Sequence, residues 1–355
     1  MDKDIVANFE NLYRSYKKVK SGKKFNSGTA RFSNLSLEGI HLLKEQLESQ
    51  TYAINPYNKF QIHEPKERTI ESCAFKDKVV QRCFSDYILT PKLEKILIKW
   101  NTAGQQGKGQ HMAMDGLKEQ MLDFYEKNGT NGWIVKCDIH KYFYSIDHEI
   151  MKDVLDYYFD DNFTIWLNHL FIDSTSNPGL PLGNQVNQKY ALLLLHSLDQ
   201  MITIEFGNPY YGRYNDDFYV LCKTKDAAKE ILEAIRMIIE SLGLELNPKS
   251  QIVPFRMGLC YLGFHHYVTD KGKYIRKLRG DKKRKTQRKI RRWVRAVNDG
   301  KMPIGKFNEK YGACKNHMLH GNCIKLCHSM DSEIKRRMKY EESRRQERLG
   351  ADNNH

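Results

Sequence analysis

Tyr211-Gly-Arg-Tyr-Asn-Asp-Asp-Phe-Tyr-Val-Leu-Cys222 is the stretch from which the rest of the chain can be read. Tyr214 before its centre and Phe218, Tyr219, Val220 and Leu221 after it are strand formers, because aromatic and β-branched side chains suit a pleated surface. Asn215-Asp216-Asp217 between them reads as a tight hairpin turn, since Asn and Asp tolerate backbone angles that other residues avoid. Such a turn sets two carboxylates side by side. Their repulsion is relieved either by solvent, as in any acidic turn, or by a hard divalent cation with oxygen ligands, such as Mg²⁺.

A third carboxylate favours the cation. Gly132-Trp-Ile-Val-Lys-Cys-Asp138 is a near-continuous apolar run ending on an acid, the pattern of a central strand with a carboxylate at its end. If that strand neighbours the hairpin, Asp138, Asp216 and Asp217 meet at one sheet edge. Three carboxylates so placed are the ligand set of a two-metal site for in-line displacement at phosphorus.

Composition supplies the substrate class. With 355 residues, 40% hydrophobic and 28% charged, the chain is globular and long enough for two or three domains. A formal charge of +15, 58 basic residues against 43 acidic, makes a polyanion the default partner. The excess is concentrated: residues 271–295 hold 14 Lys or Arg and one acid, Asp281. Eight cysteines without a disulfide-framework spacing read as reduced, mostly buried thiols, and Met-Asp-Lys-Asp-Ile at the N-terminus is no signal peptide. The longest apolar run, Tyr190 to Leu195, is too short to span a bilayer, so the expected setting is cytoplasmic with no membrane partner. A carboxylate site beside a basic surface describes a nucleotidyl transferase or a nuclease.

Apolar spacing predicts a helix over 4–20, a second after Ser36, a strand from Tyr57 to Ile62 and a helix over Lys76–Tyr87, with a hairpin at Pro65–Ile70. Gly104-Gln-Gln-Gly-Lys108 lacks phosphate-loop spacing and no strand feeds it, so it reads as a glycine turn before a helix over Met112–Phe124. Ser145 or Asp147 caps a helix from Glu149 to Phe159. The loop Pro178–Gln188 leads into a long apolar helix over roughly 186–206, and the amphipathic stretch Ala227–Leu242 is stopped by Gly243. Short strands are expected within Leu244–Val253 and Gly258–Phe264. Ile275, Leu278, Ile290, Trp293, Val294 and Val297 stand among the charges of the basic run, so part of it is expected to be an amphipathic helix with a core face. Cys314, His317, His320, Cys323, Cys327 and His328 are spaced for helix packing rather than for structural zinc.

From about residue 10 to 335 the order of motifs resembles the reverse transcriptases of the bacterial, group II intron-like superfamily. Lys136-Cys-Asp-Ile-His-Lys-Tyr-Phe143-Tyr-Ser-Ile-Asp-His148 resembles the first palm motif, and Tyr214-Asn-Asp-Asp217 the Tyr-X-Asp-Asp box. Leu244–Lys249 and Tyr261-Leu262-Gly263 resemble the two motifs that follow, the second being the primer grip. Most of the superfamily carries Gln-Gly-x-x-x-Ser-Pro in the glycine loop, whereas this chain reads Leu182-Gly183-Asn-Gln-Val-Asn-Gln188. The aliphatic residue before the glycine and the final Gln are similar to the reverse transcriptases of diversity-generating retroelements, although Asn187 stands where that group has Ser. The thumb-like ending Tyr311–Cys323 is similar to that group as well.

The resemblance implies roles for matching positions. Asp138, Asp216 and Asp217, with the Ile139 carbonyl, would hold two Mg²⁺ ions, or Mn²⁺ in their place; Asp217 contributes least. Lys66 and Arg68 would neutralise the incoming triphosphate, and Lys249 would protonate the leaving pyrophosphate. Phe143 would lie under the sugar and exclude a 2′-hydroxyl. Leu182, Gly183 and Gln188 would pack on the nascent base pair, where an aliphatic residue in place of Gln goes with error-prone copying opposite template adenines. Tyr214, Asn215, Tyr261, Leu262 and Gly263 would face the primer, and Lys282, Lys283, Arg284, Arg288, Arg291 and Arg292 would grip template–primer phosphates. The bland readings are that Phe143 is core and that Lys66, Arg68 and Lys249 are solvated turn charges.

The expected fold is therefore α+β, a right-hand polymerase with an antiparallel palm sheet and a helical thumb. Fingers with N-terminal helices take residues 1–130, the catalytic palm 131–267 and a basic helical thumb 268–340, with a disordered tail over 341–355. The expected activity is synthesis of cDNA on a template RNA from dNTPs, with the RNA/cDNA duplex and a small basic accessory protein as partners. A related enzyme of phage defence or abortive infection, and a non-catalytic RNA-binding protein on a polymerase fold, are the alternatives.

Overall fold

The computed structural model describes residues 1–21, 27–34, 36–63 and 67–352. They form two compact units, one of residues 1–113, 135–220 and 226–251, the other of residues 114–134, 221–225 and 252–355. Residues expected in the fingers and in the palm thus share the first unit.

That unit opens with α1 (Asp2–Val6) and α2 (Phe9–Lys20) where one helix over 4–20 was expected. The Asn8 side chain accepts the Asn11 amide at 3.1 Å and starts a new helix, a cap that the apolar spacing conceals. An unexpected short helix, α3 (Ser27–Asn34), precedes α4 (Ser36–Glu48), whose Ile40, Leu43 and Leu47 are buried. β1 (Asn58–Ile62) and β2 (Arg68–Ser72) form the expected antiparallel hairpin, with Phe60 opposite Ile70. Then come α5 (Phe75–Phe84), a π-helical turn over Ser85–Leu89, and α6 (Thr90–Ile96). α7 (Gln110–Asn128) leads to β3 (Trp133–Cys137), the predicted apolar strand. After the short α8 (Tyr142–Ser145), α9 (His148–Tyr158) is capped by Asp147, whose carboxylate accepts the amides of Glu149 and Ile150 at 2.9 and 3.1 Å. α10 (Asn162–Asp173) follows.

The long apolar helix expected over 186–206 is broken. α11 (Gln185–Leu194) stops at Leu195, α12 (His196–Gln200) restarts, and a π-helical turn over Met201–Glu205 closes the run. The cause is not a Gly or Pro. The Ala191 carbonyl accepts the Tyr142 hydroxyl at 2.5 Å, and the Leu192 carbonyl accepts Nη2 of Arg213 at 3.0 Å. In a continuous helix these two oxygens would accept the amides of Leu195 and His196, so side chains from elsewhere take over the ladder at that point.

β4 (Tyr211–Tyr214) and β5 (Asp217–Cys222) pair antiparallel, and α13 (Lys225–Ser241) buries Ala228, Ile231, Ile235 and Ile239. With β6 (Gln251–Pro254) the strands form one sheet in the order β4-β5-β3-β6. β3 and the β4–β5 hairpin are therefore neighbours, the condition for their carboxylates to meet.

In the second unit β7 (Leu259–Tyr261), β8 (Phe264–Val268) and β9 (Tyr274–Leu278) make an antiparallel three-stranded sheet. The basic run begins as a strand, since the turn closed by Gly272 at φ +75° pairs Val268 with Tyr274, and its later part is the helix. α14 (Gly280–Asn298) buries Ile290 and Val294 against Phe307 and Met318 of α15 (Ile304–Leu319) and Met330 of α16 (Ile324–Asp352). Trp293 and Val297 pack on this core as expected, and Cys323 and Cys327 lie within it. The tail expected to be disordered continues α16 to Asp352, because its Glu, Arg and Gln residues are good helix formers. No helix among the described residues is long and apolar enough to cross a membrane.

Candidate active site

β3 delivers Asp138 to the sheet edge, and the segment after α13 holds it there. The Asn247 side-chain amide donates to Oδ2 of Asp138 at 3.0 Å, and the Asn247 backbone amide donates to the Asp138 carbonyl at 2.8 Å. Together with the His140 amide on the Glu245 carbonyl at 2.8 Å, these bonds form an antiparallel bridge between Ile139 and Leu246. That bridge uses the Asp138 carbonyl and leaves the Ile139 carbonyl out. Lys249 is exposed on the turn that follows.

The β4–β5 hairpin supplies the other carboxylates. Tyr214 stands opposite Asp217, so Asn215 and Asp216 are the two turn residues. Asn215 has φ +56°, which accounts for the Asn: at the first central position of a two-residue turn a left-handed residue is needed. Burial, then the charge of Asp138, then that of Asp217 push the Asp216 carboxyl up to about 6, despite Lys136. Asp138 and Asp216 are thus close enough to repel. Oδ1 of Asp217 is paired with Nζ of Lys136, which also donates to the Cys137 carbonyl at 3.0 Å. Among the described residues no group of three His, Cys, Asp or Glu is placed to hold a metal ion. Asp138 and Asp217 both act on Asp216 by charge, and Asp217 is itself compensated by Lys136.

Against this edge the chain brings the glycine loop and the first palm motif together. The Leu180 amide donates to the Phe143 carbonyl at 2.7 Å and the Gly179 amide to the Ile146 carbonyl at 2.8 Å. Phe143 is half-buried, edge-on to Tyr142 at 5.5 Å. Leu182 is half-buried, and Gly183 approaches β2 so closely that a Cβ there would stand 2.7 Å from the Glu71 carbonyl oxygen. Glycine is required at that contact. Arg68 opens β2, while Lys66 lies outside the described residues. Gln188 projects from α11 into a hollow of about 710 Å³ that Lys18, Arg82, Gln185 and Lys189 also line. Asp86 there already pairs with Lys18 and Arg82, each at 2.8 Å, and Lys189 donates to the Gly104 carbonyl at 2.7 Å.

In the second unit Leu262 and Gly263 form the two-residue turn between β7 and β8, with φ +48° and +92°. Leu262 in that conformation stores strain, and Tyr261 beside it is buried, its carbonyl within 3.1 Å of His266 Nε2. On α14, Lys282, Lys283, Arg284, Arg288, Arg291 and Arg292 are exposed, while Ile290 and Val294 are buried. Arg291 is tied to Glu333 at 3.0 Å.

A sheet edge with paired carboxylates, next to a loop and a hairpin that can border a nucleotide, defines the palm of a polymerase. Residues 58–266 match the family model described as reverse transcriptase (RNA-dependent DNA polymerase), and the chain belongs to that family. Solved structures similar to it include apo telomerase from Candida tropicalis truncated from its C-terminal domain, at 11% identity and TM-score 0.49 over 66% of this chain and 60% of that one. Telomerase from Candida albicans, in complex with a fragment of telomeric RNA, matches at 11% identity and TM-score 0.49 over 82% of this chain and 61% of that one. The chain thus spans about three fifths of either telomerase chain. No curated protein matches it.

Sequence reasoning missed Lys136, Asn247, Lys189 and Arg213. The signal for Arg213 was present, a cation inside a strand-forming run, but its partner cannot be read from periodicity.

Proposed function

We propose that the chain is an RNA-directed DNA polymerase that extends a primer by metal-assisted nucleotidyl transfer. The observation that carries this reading is the Asp138–Asp216 pair, set by neighbouring strands and close enough that each carboxylate repels the other. Two carboxylates that repel, one of them held near pH 6, form a hard-oxygen donor set suited to Mg²⁺ or Mn²⁺. Bound there, such ions would activate the primer hydroxyl and stabilise the leaving oxygen. Asp138 and Asp216 would hold them, with the Ile139 carbonyl as a further oxygen donor. Lys136 keeps Asp217 neutralised, Phe143 would border the sugar, and Lys66 and Arg68 would neutralise the triphosphate. The hollow lined by Lys18, Arg82 and Lys189 suits template phosphates, and α14 suits the duplex.

α14 provides a first expected outcome. Lys282→Ala/Lys283→Ala/Arg284→Ala should lower the slope of log affinity against log salt for an RNA/DNA duplex by about three, since each phosphate-contacting cation adds about one. An unchanged slope in fluorescence anisotropy titrations would remove α14 from the nucleic-acid interface.

We propose further that the enzyme serves a diversity-generating retroelement, copying a template-repeat RNA with a small basic accessory protein. Leu182 in the glycine loop supports this, because an aliphatic side chain cannot check a nascent base pair by hydrogen bonds. Mg²⁺-dependent extension on RNA templates tests both levels. Failure to extend sinks the polymerase; extension with misincorporation opposite adenine no higher than at other bases sinks only the retroelement role.

A further inference from the structure

Arg213 and Asp199 form an ion pair with no exposed surface, inside the first unit and directly on the strand that leads into the catalytic turn. Nε and Nη2 of Arg213 donate to the two carboxylate oxygens of Asp199 at 2.7 and 2.6 Å. The same Nη2 donates to the Leu192 carbonyl at 3.0 Å, and Nη1 donates to the carbonyl of Asn215 at 3.2 Å. Asp199 also accepts the Tyr211 hydroxyl at 2.6 Å and the Asn101 side-chain amide at 3.4 Å. Backbone bonds anchor the strand at the same point: the Arg213 amide donates to the Trp100 carbonyl at 3.0 Å and the Thr102 amide to the Arg213 carbonyl at 3.2 Å.

A buried ion pair adds little net stability over an apolar pair of equal volume, because desolvation cancels most of the attraction. Its presence here is better explained by geometry. Only a guanidinium fork reaches three acceptors in fixed directions. One is the carboxylate of α12, the second is the last turn of α11, where it breaks the helix, and the third is the tip of the hairpin. The break at Leu195 and the pair are one device, since α12 carries Asp199. The oxygen that Arg213 holds at the tip matters for the site. Peptide planarity makes the Asn215 carbonyl and the Asp216 amide one rigid plane, so fixing that oxygen fixes the backbone from which the Asp216 carboxylate projects. Asn215, at φ +56°, is the left-handed residue of the turn, and the bond falls on its carbonyl.

We propose that Arg213 is a positioning residue for the cation site: it clamps the Asn215 carbonyl so that Asp216 is presented to Asp138, and Asp199 holds the guanidinium for that task. The proposal rests on the reading of Asp138 and Asp216 as cation ligands. Lysine cannot substitute, because one ammonium cannot hold Asp199 and Asn215 in the same geometry.

The test uses the full chain without nucleic acid and reads Mn²⁺ binding by electron paramagnetic resonance. Arg213→Gln/Asp199→Asn removes both charges while leaving amide partners for Tyr211 and Asn101. It should fold, with a melting temperature near that of the wild type, and need roughly 10- to 100-fold more Mn²⁺ for half-saturation, the usual loss when an outer-shell support of a metal ligand is removed. Its affinity for an RNA/DNA duplex should stay within about twofold, since α14 carries that contact. Arg213→Lys should show the same Mn²⁺ defect with its charge retained, and it decides the matter if the double variant does not fold. Folded variants with wild-type Mn²⁺ half-saturation overturn the proposal. Asp216→Asn serves as the control for the reading underneath: if it leaves Mn²⁺ binding intact, the cation site itself fails and Arg213 has nothing to position.

Discussion

Asp216→Asn is expected to abolish primer extension, by at least about 10³-fold, and to make the metal-free protein more stable. The loss of activity follows from the donor set. A bound divalent ion contributes several kcal/mol to a phosphoryl displacement, and each 1.4 kcal/mol is about tenfold in rate. The gain in stability follows from the sign of the shift. A carboxyl whose folded pKa lies near 6, raised by burial, Asp138 and Asp217, keeps its proton longer in the folded than in the unfolded chain. Folding stability therefore declines as pH rises from the unfolded value near 3.8 to about 6, and stays lower above that. Asn carries no charge and escapes the decline. In chelator, the melting temperature of the variant should pull ahead of wild type through about pH 4–6 and keep a lead of a few degrees above that range. Where Asp216 is protonated it competes with the cation, so half-saturating Mg²⁺ for extension should rise below about pH 6. A variant that extends primers like wild type, or one that melts earlier in chelator above about pH 6, contradicts this account.

Phe143→Ala should admit ribonucleotides. The ring is half-buried with an exposed neighbour, Tyr144, and lies edge-on to the buried Tyr142. Its backbone is held independently of the ring, through the Leu180 amide and the Tyr142 hydroxyl on Ala191, so truncation should spare the local fold. A steric wall of one side chain discriminates by about 1–3 kcal/mol, or roughly 10- to 200-fold. The ratio of kcat/KM for a deoxynucleotide over its ribonucleotide should fall by that factor, read from single-nucleotide incorporation. The change should come through the ribonucleotide, whose KM drops, with the deoxynucleotide constants nearly unmoved. Discrimination equal to wild type would return Phe143 to the core.

Much of this site is legible in the order of residues alone. The Asn-Asp-Asp turn between strand formers marks the hairpin and its two adjacent acids, and the apolar run ending at Asp138 marks the neighbouring strand. Of the two candidate caps Ser145 and Asp147, it is Asp147 that accepts the first amides of α9. The core face of α14 follows from spacing. These features are local: alternation, turn chemistry and capping act over a few residues, and the chain states them in order.

What the tertiary structure decided is where carbonyls and charges find partners across long separations. Spacing could not show that Asn8 would split the first helix, or that the chain from Tyr274 would pair as a strand before turning helical. Nor could it show that the continuous apolar run from Gln185 would break at Leu195, because the oxygens concerned are claimed by Tyr142 and Arg213, 49 and 21 residues away from their acceptors. The same holds at the carboxylates. The sequence by itself determined that Asp138 ends a strand and that Asp216 and Asp217 lie at a hairpin; the strand order β4-β5-β3-β6 made that strand and hairpin neighbours. Only packing decided that Lys136 takes Asp217 and that Arg213 grips the turn, since a buried charge pairs with whatever group the fold leaves within reach.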